Sequence, residues 1–311
     1  MPTSADLRWI EAADGARLAE RRWTPSGGVR ATVQVVHGLS EHAGRYDRLA
    51  QALVARGLAV AALDQRGHGL TAQSTGPGRF GGPATAPATA DAVLDDVRDL
   101  DRRLAADHPG VPQFLLGHSL GSVVALASAE RDGGRLAGLA LSGPIGVAPA
   151  LAEQVPQLEG AVAAGMGEEP LGALGAFNAP FEPARTAYDW LTRDEAEVDA
   201  YLADPLCGDE DVPPTYGYAA AMFGLSVRSA GPEGVARLPR GLPVLLLSGQ
   251  RDPVGGRDAE QVVALADAMR GRGLPVEQHV YPDARHEVFN ETNRDEVTGD
   301  LLAWLEARLG G

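Results

Sequence analysis

The sequence predicts an α/β fold with a mostly parallel central sheet and helices on both of its faces. Short apolar segments alternate with helical segments along much of the chain, which is typical of a parallel sheet covered on both sides. One long interval, residues 145–241, breaks the alternation, because it is rich in Ala, Gly and Pro and has no clear strand pattern. We therefore predict one core made of residues 1–144 and 242–311, with an inserted, mainly helical cap at 145–241.

Each element follows from its own residue pattern. Asp14-Gly15 lies between two apolar runs and predicts a β-hairpin. Apolar and β-branched runs predict the strands 31–36, 58–63, 113–116, 136–141, 244–247 and 276–280. Apolar residues at helical spacing predict the helices 45–56, 90–108, 120–129, 258–270 and 295–309. Residues 76–90 have the composition of a loop. In the cap, one amphipathic helix is predicted by Leu151, Val155, Leu158 and Val162.

The charge and the cysteine content limit the partners and the compartment that we expect. The 311 residues carry a net charge of −15, so nucleic acid and anionic membrane surfaces should be repelled. The single cysteine, Cys207, cannot form an intrachain disulfide and is compatible with a reducing cytosol. The sequence has neither a signal-peptide pattern nor an apolar run of about 18 residues. We expect a cytoplasmic protein without stable membrane insertion.

Residues 117–121 read Gly-His-Ser-Leu-Gly, a G-x-S-x-G motif between a predicted strand and a predicted helix. In this context the serine occupies a sharp, strained turn, and side chains two residues to either side would collide, which explains both glycines. The helix that begins after Ser119 directs N–H groups and its positive dipole end towards a reacting carbonyl. The motif predicts an α/β-hydrolase fold with Ser119 as nucleophile.

A serine hydroxyl needs a base to act as a nucleophile at neutral pH, and this fold uses the chain order Ser, acid, His. Two histidines follow Ser119. His279 lies within a predicted strand of a buried sheet and is expected to be structural. His286 lies in the loop after that strand, and ligands of open parallel sheets bind beyond the carboxyl ends of the strands. We therefore predict His286 as the base.

The acid is expected in the loop after the preceding strand, where Asp252 lies. Asp283 is an alternative, but it is only three residues from His286 on the same loop, and Asp258 belongs to the next predicted helix. Asp252 is therefore the predicted partner that orients the histidine.

An oxyanion hole needs two N–H donors. One is expected from Leu120, directly after the nucleophile, and the other from Leu39 in the loop after the first parallel strand. His37 in that loop could be a metal ligand, but no second ligand lies at suitable spacing in the sequence. We expect neither a metal nor an organic cofactor.

Together these motifs resemble the monoacylglycerol lipase and lysophospholipase-like branch of the α/β-hydrolases. The resemblance is carried by residues 37–46, 64–69, 117–121 and 197–206 and by the loops of Asp252 and His286. It implies Ser119, Asp252 and His286 as the triad, the oxyanion donors already given, and hydrolysis of fatty-acid esters of small alcohols. The family pattern also contains the polar residues Glu41, Arg45, Asp64, Arg66 and His68. We interpret them as groups that brace loops, with substrate contact as the alternative.

The expected partner is a small-molecule ester with an acyl chain. In the cap, Met222, Phe223 and Leu225 are candidates for lining that chain, although they could instead form a small core of the cap itself. Other functions on this fold stay open: a prolyl-aminopeptidase-type peptidase, a lactonase, a cofactor-free haloperoxidase, or a ligand-sensing protein without turnover. Enzymes of this fold that use Asp as the nucleophile are disfavoured, because a serine occupies the central position of the G-x-S-x-G turn.

Overall fold

The computed structural model describes residues 5–81, 89–171, 177–208 and 213–310, and these form one eight-stranded sheet. The strands are β1 (Asp6–Glu11), β2 (Arg17–Trp23), β3 (Ala31–Val36), β4 (Leu58–Leu63), β5 (Gln113–His118), β6 (Gly138–Ser142), β7 (Val244–Gly249) and β8 (Val276–Tyr281). Their order is β1-β2-β4-β3-β5-β6-β7-β8. The hairpin β1–β2 is antiparallel, as is the β2–β4 pair, and all later neighbours are parallel. The predicted α/β fold is confirmed.

The strands from β3 to β7 are buried along their whole length, because helices cover both faces of the sheet. β5 continues to His118, two residues further than its apolar run predicts, so it ends directly before Ser119. β8 is the outermost strand and most of its residues are only partly buried. The expectation that His279 lies in a buried part of the sheet is therefore wrong: within the described residues β8 has a neighbouring strand on one side only, and the His279 ring is partly exposed.

The helices of the described residues are α1 (Asp47–Val54), α2 (Ala72–Thr75), α3 (Ala90–Asp107), α4 (Leu120–Asp132), α5 (Pro149–Ala161), α6 (Glu195–Ala203), α7 (Tyr216–Ala230), α8 (Pro232–Arg237), α9 (Glu260–Gly271) and α10 (Arg294–Leu309). α1 and α10 contribute to the apolar cluster on one face of the sheet. α3, α4 and α9 contribute to the cluster on the other face. The predicted loop 76–90 lies partly outside the described residues. Within the described ranges, no helix has the length and apolar character that crossing a membrane requires.

The segment between β6 and β7 contains α5 to α8. The predicted amphipathic cap helix corresponds to α5, but Val162 lies beyond its end and is 37% exposed. α5 packs on α7 through a small cluster around Leu158, Ala219 and Ala220. α7 also packs on α4 within the larger core cluster. The inserted segment is thus attached to α4, the helix that begins directly after Ser119.

Candidate active site

Ser119 occupies a strained turn between β5 and α4. Its backbone has φ 52° and ψ −123°, a region that residues with a side chain seldom adopt. A Cβ atom on Gly117 would lie 2.3 Å from the carbonyl oxygen of Gly121, and one on Gly121 would lie 2.1 Å from that of Val36. Both positions therefore accept glycine alone, and the turn presents a partly exposed Ser119 at the carboxyl end of the sheet.

His286 and Asp252 form a buried hydrogen-bonded pair. Nδ1 of His286 lies 3.0 Å from both carboxylate oxygens of Asp252. Because a carboxylate accepts only, Nδ1 carries the proton and donates it, which leaves Nε2 as an acceptor. Asp252 follows β7 and His286 follows β8, so the loops of β5, β7 and β8 bring the three predicted residues to the same edge of the sheet.

The pKa of His286 is raised above its ordinary value by its neighbours. Burial alone lowers the pKa, but the charge and hydrogen bond of Asp252, and then the charges of Glu287 and Glu41, outweigh this effect. The neighbouring His118, whose ring centroid is 4.8 Å from that of His286, has a lowered pKa because of burial and the nearby His286. The site therefore favours a positive charge on His286 rather than on His118.

The loop after β3 lies against Ser119. A Cβ atom on Gly38 would be 3.0 Å from the Cβ of Ser119, so the backbone that leads to Leu39 passes directly beside the nucleophile position. The N–H of Gly38 donates to Oε1 of Glu41 over 2.5 Å. His37 accepts a hydrogen bond from the N–H of Gln65 at Nε2 and has Nδ1 2.7 Å from the Gly38 carbonyl. Both ring nitrogens of His37 thus make hydrogen bonds that hold the loop, so neither nitrogen is free to ligate a metal.

Leu120 is the first residue of α4 and is buried, and Leu39 is partly buried against the same core cluster. Their side chains pack into the protein while their backbones flank Ser119. The two predicted oxyanion donors are therefore on the two segments that enclose the serine.

A cluster of buried charges lies behind this loop. Arg45 donates to Oε2 of Glu41 over 2.9 Å and to the carboxylate of Glu287 over 2.5 and 2.7 Å. The hydroxyl of Tyr46 donates to Oε1 of Glu41 over 2.8 Å. Burial raises the pKa of both glutamates, but the charge of Arg45 outweighs it and keeps each pKa below its ordinary value. The cluster contains two carboxylates and one guanidinium, so it carries net negative charge.

The inserted segment covers the histidine through Trp190. The indole ring lies 5.0 Å from the His286 ring at an interplanar angle of 35°. The N–H of Glu287 donates to the Leu191 carbonyl over 2.7 Å. Further along, Arg193 donates to Glu291, whose carboxylate also accepts from the N–H of Arg285. This part of the segment is thus fixed to the loop that carries His286.

A family model described as "Serine aminopeptidase, S33" matches residues 27–293. The chain is also 34% identical over 303 residues to a monoacylglycerol lipase of Mycolicibacterium smegmatis, which covers 95% of each chain. The chain belongs to the monoacylglycerol lipase-like α/β-hydrolases. It is 30% identical over 302 residues to the monoglyceride lipase of Homo sapiens, covering 93% of this chain and 89% of the human one. The resemblance predicted from the motifs is confirmed.

The solved structures agree with this family. A thermostable carboxyl esterase from Bacillus coagulans superposes with a TM-score of 0.90 at 28% identity, covering 98% of this chain and 99% of that one. As a member of this monoacylglycerol lipase-like family, the chain is a serine hydrolase of the carboxylester class, as the sequence predicts.

The other candidates for the acid and the base do not take part in the His286–Asp252 pair. Asp283 is exposed and Asp258 accepts from the side chain of Gln250. The ring of His279 is partly exposed and bonds to Glu277 over 3.0 Å. The polar residues of the family pattern brace loops: Asp64 accepts from the N–H groups of Ala43 and Leu70, and Arg66 bonds to Asp14 and Asp96.

The three cap residues predicted to line an acyl chain point into two different clusters. Met222 and Leu225 are buried in the larger core cluster together with α4. Phe223 is partly buried and packs on Leu158, Ala219 and Ala220. All three lie on α7, and contact of any of them with substrate stays a prediction.

One cluster in the described ranges has the residue types of a metal site. Ligand atoms of His42, Asp204 and Cys207 lie within 4.8 Å of one another. However, Nδ1 of His42 accepts from the N–H of Gly44, so Nε2 carries the proton and donates to Asp204 over 2.8 Å. Burial raises the pKa of the Cys207 thiol and keeps it protonated. A metal would have to displace both protons and break the Gly44 bond, so these groups fit a contact between the loop after β3 and the segment between β6 and β7.

We therefore expect dialysis against EDTA to leave esterase activity unchanged. The physical reason is that a serine nucleophile activated by the His286–Asp252 pair would need no Lewis acid. The measurement compares the initial rates of p-nitrophenyl butyrate hydrolysis before and after dialysis. A large loss of rate that added Zn²⁺ restores would contradict the prediction.

Three contacts in the site could not be expected from single-residue patterns. His118 is part of the G-x-S-x-G motif, but its contact with His286 depends on how β5 and β8 are arranged. Trp190 lies in the segment between β6 and β7, where no strand or motif of the sequence indicates its place. Glu287 directly follows His286, and that adjacency was the one available signal for it.

Proposed function

We propose that the protein is a serine carboxylester hydrolase that acts on lipid-like monoesters, of the monoacylglycerol or lysophospholipid type, through an acyl-enzyme intermediate. The observation that carries the reaction type is the His286–Asp252 pair beside a strained Ser119. The substrate class is supported by whole-length similarity to monoacylglycerol lipases at 34% and 30% identity. The acidic chain fits a neutral or zwitterionic ester better than an anionic one.

In the proposed reaction, Oγ of Ser119 attacks the ester carbonyl while its proton passes to Nε2 of His286. Asp252 holds the imidazole in the tautomer that can accept this proton and stabilises the imidazolium. The tetrahedral intermediate collapses, His286 returns the proton to the departing alkoxide, and the alcohol leaves. Water then attacks the acyl-enzyme with His286 again as base, which releases the fatty acid and restores Ser119.

The negative oxygen of the tetrahedral intermediate would be bound by the N–H groups of Leu39 and Leu120. Support for this assignment is the contact of the Gly38 backbone with Ser119 and the start of α4 at Leu120. The N-terminal end of α4 adds a favourable dipole at the same position. No metal or organic cofactor enters this scheme.

The proposal is tested by a hydrolysis panel of monoacylglycerols, lysophospholipids and simple esters of graded chain length. Monoacylglycerols or lysophospholipids should give the highest kcat/KM. Activity confined to short esters would remove the lipid substrate while keeping the reaction type. The family description also names a serine aminopeptidase, so the panel includes L-prolyl p-nitroanilide. A preference for the anilide would contradict the proposed substrate class.

Residues 145–241 are proposed to form a cap whose α7 side chains, Met222, Phe223 and Leu225, contact the acyl chain. We expect kcat/KM to rise from acetate to longer acyl esters, because burial of each methylene contributes about 0.8 kcal/mol. This corresponds to a roughly fourfold preference per carbon until the pocket is full. The plateau should move in Phe223→Ala or Leu225→Ala, measured with p-nitrophenyl esters. If the profile is flat, or the variants lower only the melting temperature, the cap is a structural cover.

The function that we propose is thus the hydrolysis of lipid-like monoesters by a serine hydrolase. The cytoplasmic location rests on the single Cys207 and on composition alone, and it stays a prediction.

A further inference from the structure

A continuous path of hydrogen bonds joins the loop before Leu39 to the segment after His286. The N–H of Gly38 donates to Glu41, Glu41 accepts from Arg45, and Arg45 makes a two-pronged contact with Glu287. The side chain of Asn290 donates to the same carboxylate over 2.9 Å. Glu287 is therefore held on both sides, and it is the next residue along the chain from His286.

Burying this path has a large desolvation cost, so it contributes little to the stability of the fold. The side chains of Glu41, Arg45 and Glu287 are 4%, 10% and 5% exposed, so three charges have been removed from most of their water. Replacing such buried ionic groups with apolar ones of similar volume is often neutral or stabilising. A contribution to stability is therefore weak grounds for their presence, and their contacts point to the two halves of the catalytic site instead.

The first role that the geometry allows is positioning. Glu41 fixes the N–H of Gly38 and thereby the direction of the peptide that follows, which carries the N–H of Leu39. Glu287 fixes the backbone next to His286, whose ring must face Ser119. Because Arg45 bonds to both glutamates, a shift of one loop displaces the other, and misplacement of about 1 Å can cost roughly 100-fold in rate.

The second role is electrostatic. In the transition state His286 is an imidazolium, and a buried negative charge nearby stabilises that form. The charged and titratable groups that act on His286 are Asp252 after β7, His118 on β5, Glu41 after β3 and Glu287 on its own loop. Arg45 bonds to both glutamates and offsets part of their negative charge. Arg251 and Arg285 direct their guanidinium groups to the Phe181 ring instead. The charge of Glu287 is thus among those that act on the base without touching it.

We propose that Glu287 is a positioning residue that, through Arg45 and Glu41, aligns the loop after β3, which carries Leu39, with His286 and stabilises the imidazolium. This inference rests on the proposed roles of Ser119, His286 and Leu39. It concerns how the same site is held together, whichever ester is the natural substrate.

The test is Glu287→Gln, with kcat and KM for p-nitrophenyl butyrate measured across pH on enzyme whose active sites have been counted with a fluorophosphonate. Loss of the negative charge lowers the pKa of His286, so the acid limb of kcat/KM should move to lower pH by roughly 0.5 to 1 unit. At the optimum, kcat should fall by roughly 10- to 100-fold with KM little changed. The control is Glu260→Gln, which removes the same charge from an exposed residue of α9.

Glu287→Asp separates the two roles and also serves if Glu287→Gln does not fold. It keeps the charge, so the acid limb should stay at the wild-type pH, but its shorter side chain cannot hold Arg45 in the same way and kcat should still fall. The inference is overturned if Glu287→Gln keeps the wild-type acid limb and a kcat within about twofold. It is also overturned if Glu287→Asp has wild-type kcat while Glu287→Gln is unfolded.

The assay also separates this inference from the proposed substrate. If the wild type turns over p-nitrophenyl butyrate and no monoacylglycerol, the substrate class is wrong and the Glu287 comparison still stands. If His286→Ala keeps its activity, the base is wrong and the role of Glu287 falls with it.

Discussion

Ser119→Ala is expected to lose between roughly 10⁴- and 10⁶-fold in kcat. The variant removes the atom that would form the acyl-enzyme, while the oxyanion donors and the cap remain. The strained turn itself should survive, because Gly117 and Gly121 permit it and alanine is no larger than serine. The measurement is the rate of p-nitrophenyl butyrate hydrolysis, together with labelling by a fluorescent fluorophosphonate.

The matched control is Ser26→Ala, which changes an exposed serine in the connection between β2 and β3. It should keep wild-type labelling and rate. Equal labelling of Ser119→Ala and the wild type would mean that another residue is the nucleophile, and the whole assignment of the site would fail.

His286→Ala is expected to be nearly inactive, with a loss of kcat similar to that of Ser119→Ala. When residues act as a unit, replacing one of them lowers kcat about as much as replacing all of them. His279→Ala should keep most of the activity, because that ring is partly exposed on β8 and bonds to Glu277. Both variants are compared by kcat/KM and by melting temperature. An indispensable His279 with a dispensable His286 would contradict the site.

The same histidine sets the expected pH dependence. His286 acts as a base only when neutral, so the rate should fall as the pH drops through its pKa. Because Asp252, Glu287 and Glu41 raise that pKa against the effect of burial, the midpoint of the acid limb should lie above the ordinary imidazole value. A midpoint below that value in the wild type would show that the neighbouring charges do not act as the structure implies.

Local sequence was sufficient to predict the turn at Ser119 and the pairing of His286 with Asp252. The turn at Ser119 depends on steric limits within the five residues 117–121. The acid and the base each follow a strand that can be recognised without the rest of the fold. Parallel strands place their carboxyl ends at one edge, so loops separated in sequence had to meet there. The observed pair of His286 and Asp252 is the outcome of that rule.

Contacts between distant segments were out of reach of the same reasoning. Arg45 and Glu287 are separated by 242 positions, and nothing in either neighbourhood specifies the other. The place of Trp190 depends on how an inserted segment folds back on the core. β8 has three polar residues, Glu277, Gln278 and His279, between its apolar ends, and this composition fits its place as the outermost strand of the described sheet.

The most direct test of the account is the release of glycerol from 1-monooleoylglycerol by the wild type and by Ser119→Ala in parallel, set against cleavage of L-prolyl p-nitroanilide. We expect the wild type to release glycerol with a kcat/KM at least about 100-fold above that for the anilide, a difference of about 2.7 kcal/mol in transition-state binding. Ser119→Ala should release none above background. Cleavage of the anilide without release of glycerol, or glycerol release that survives Ser119→Ala, would contradict the account.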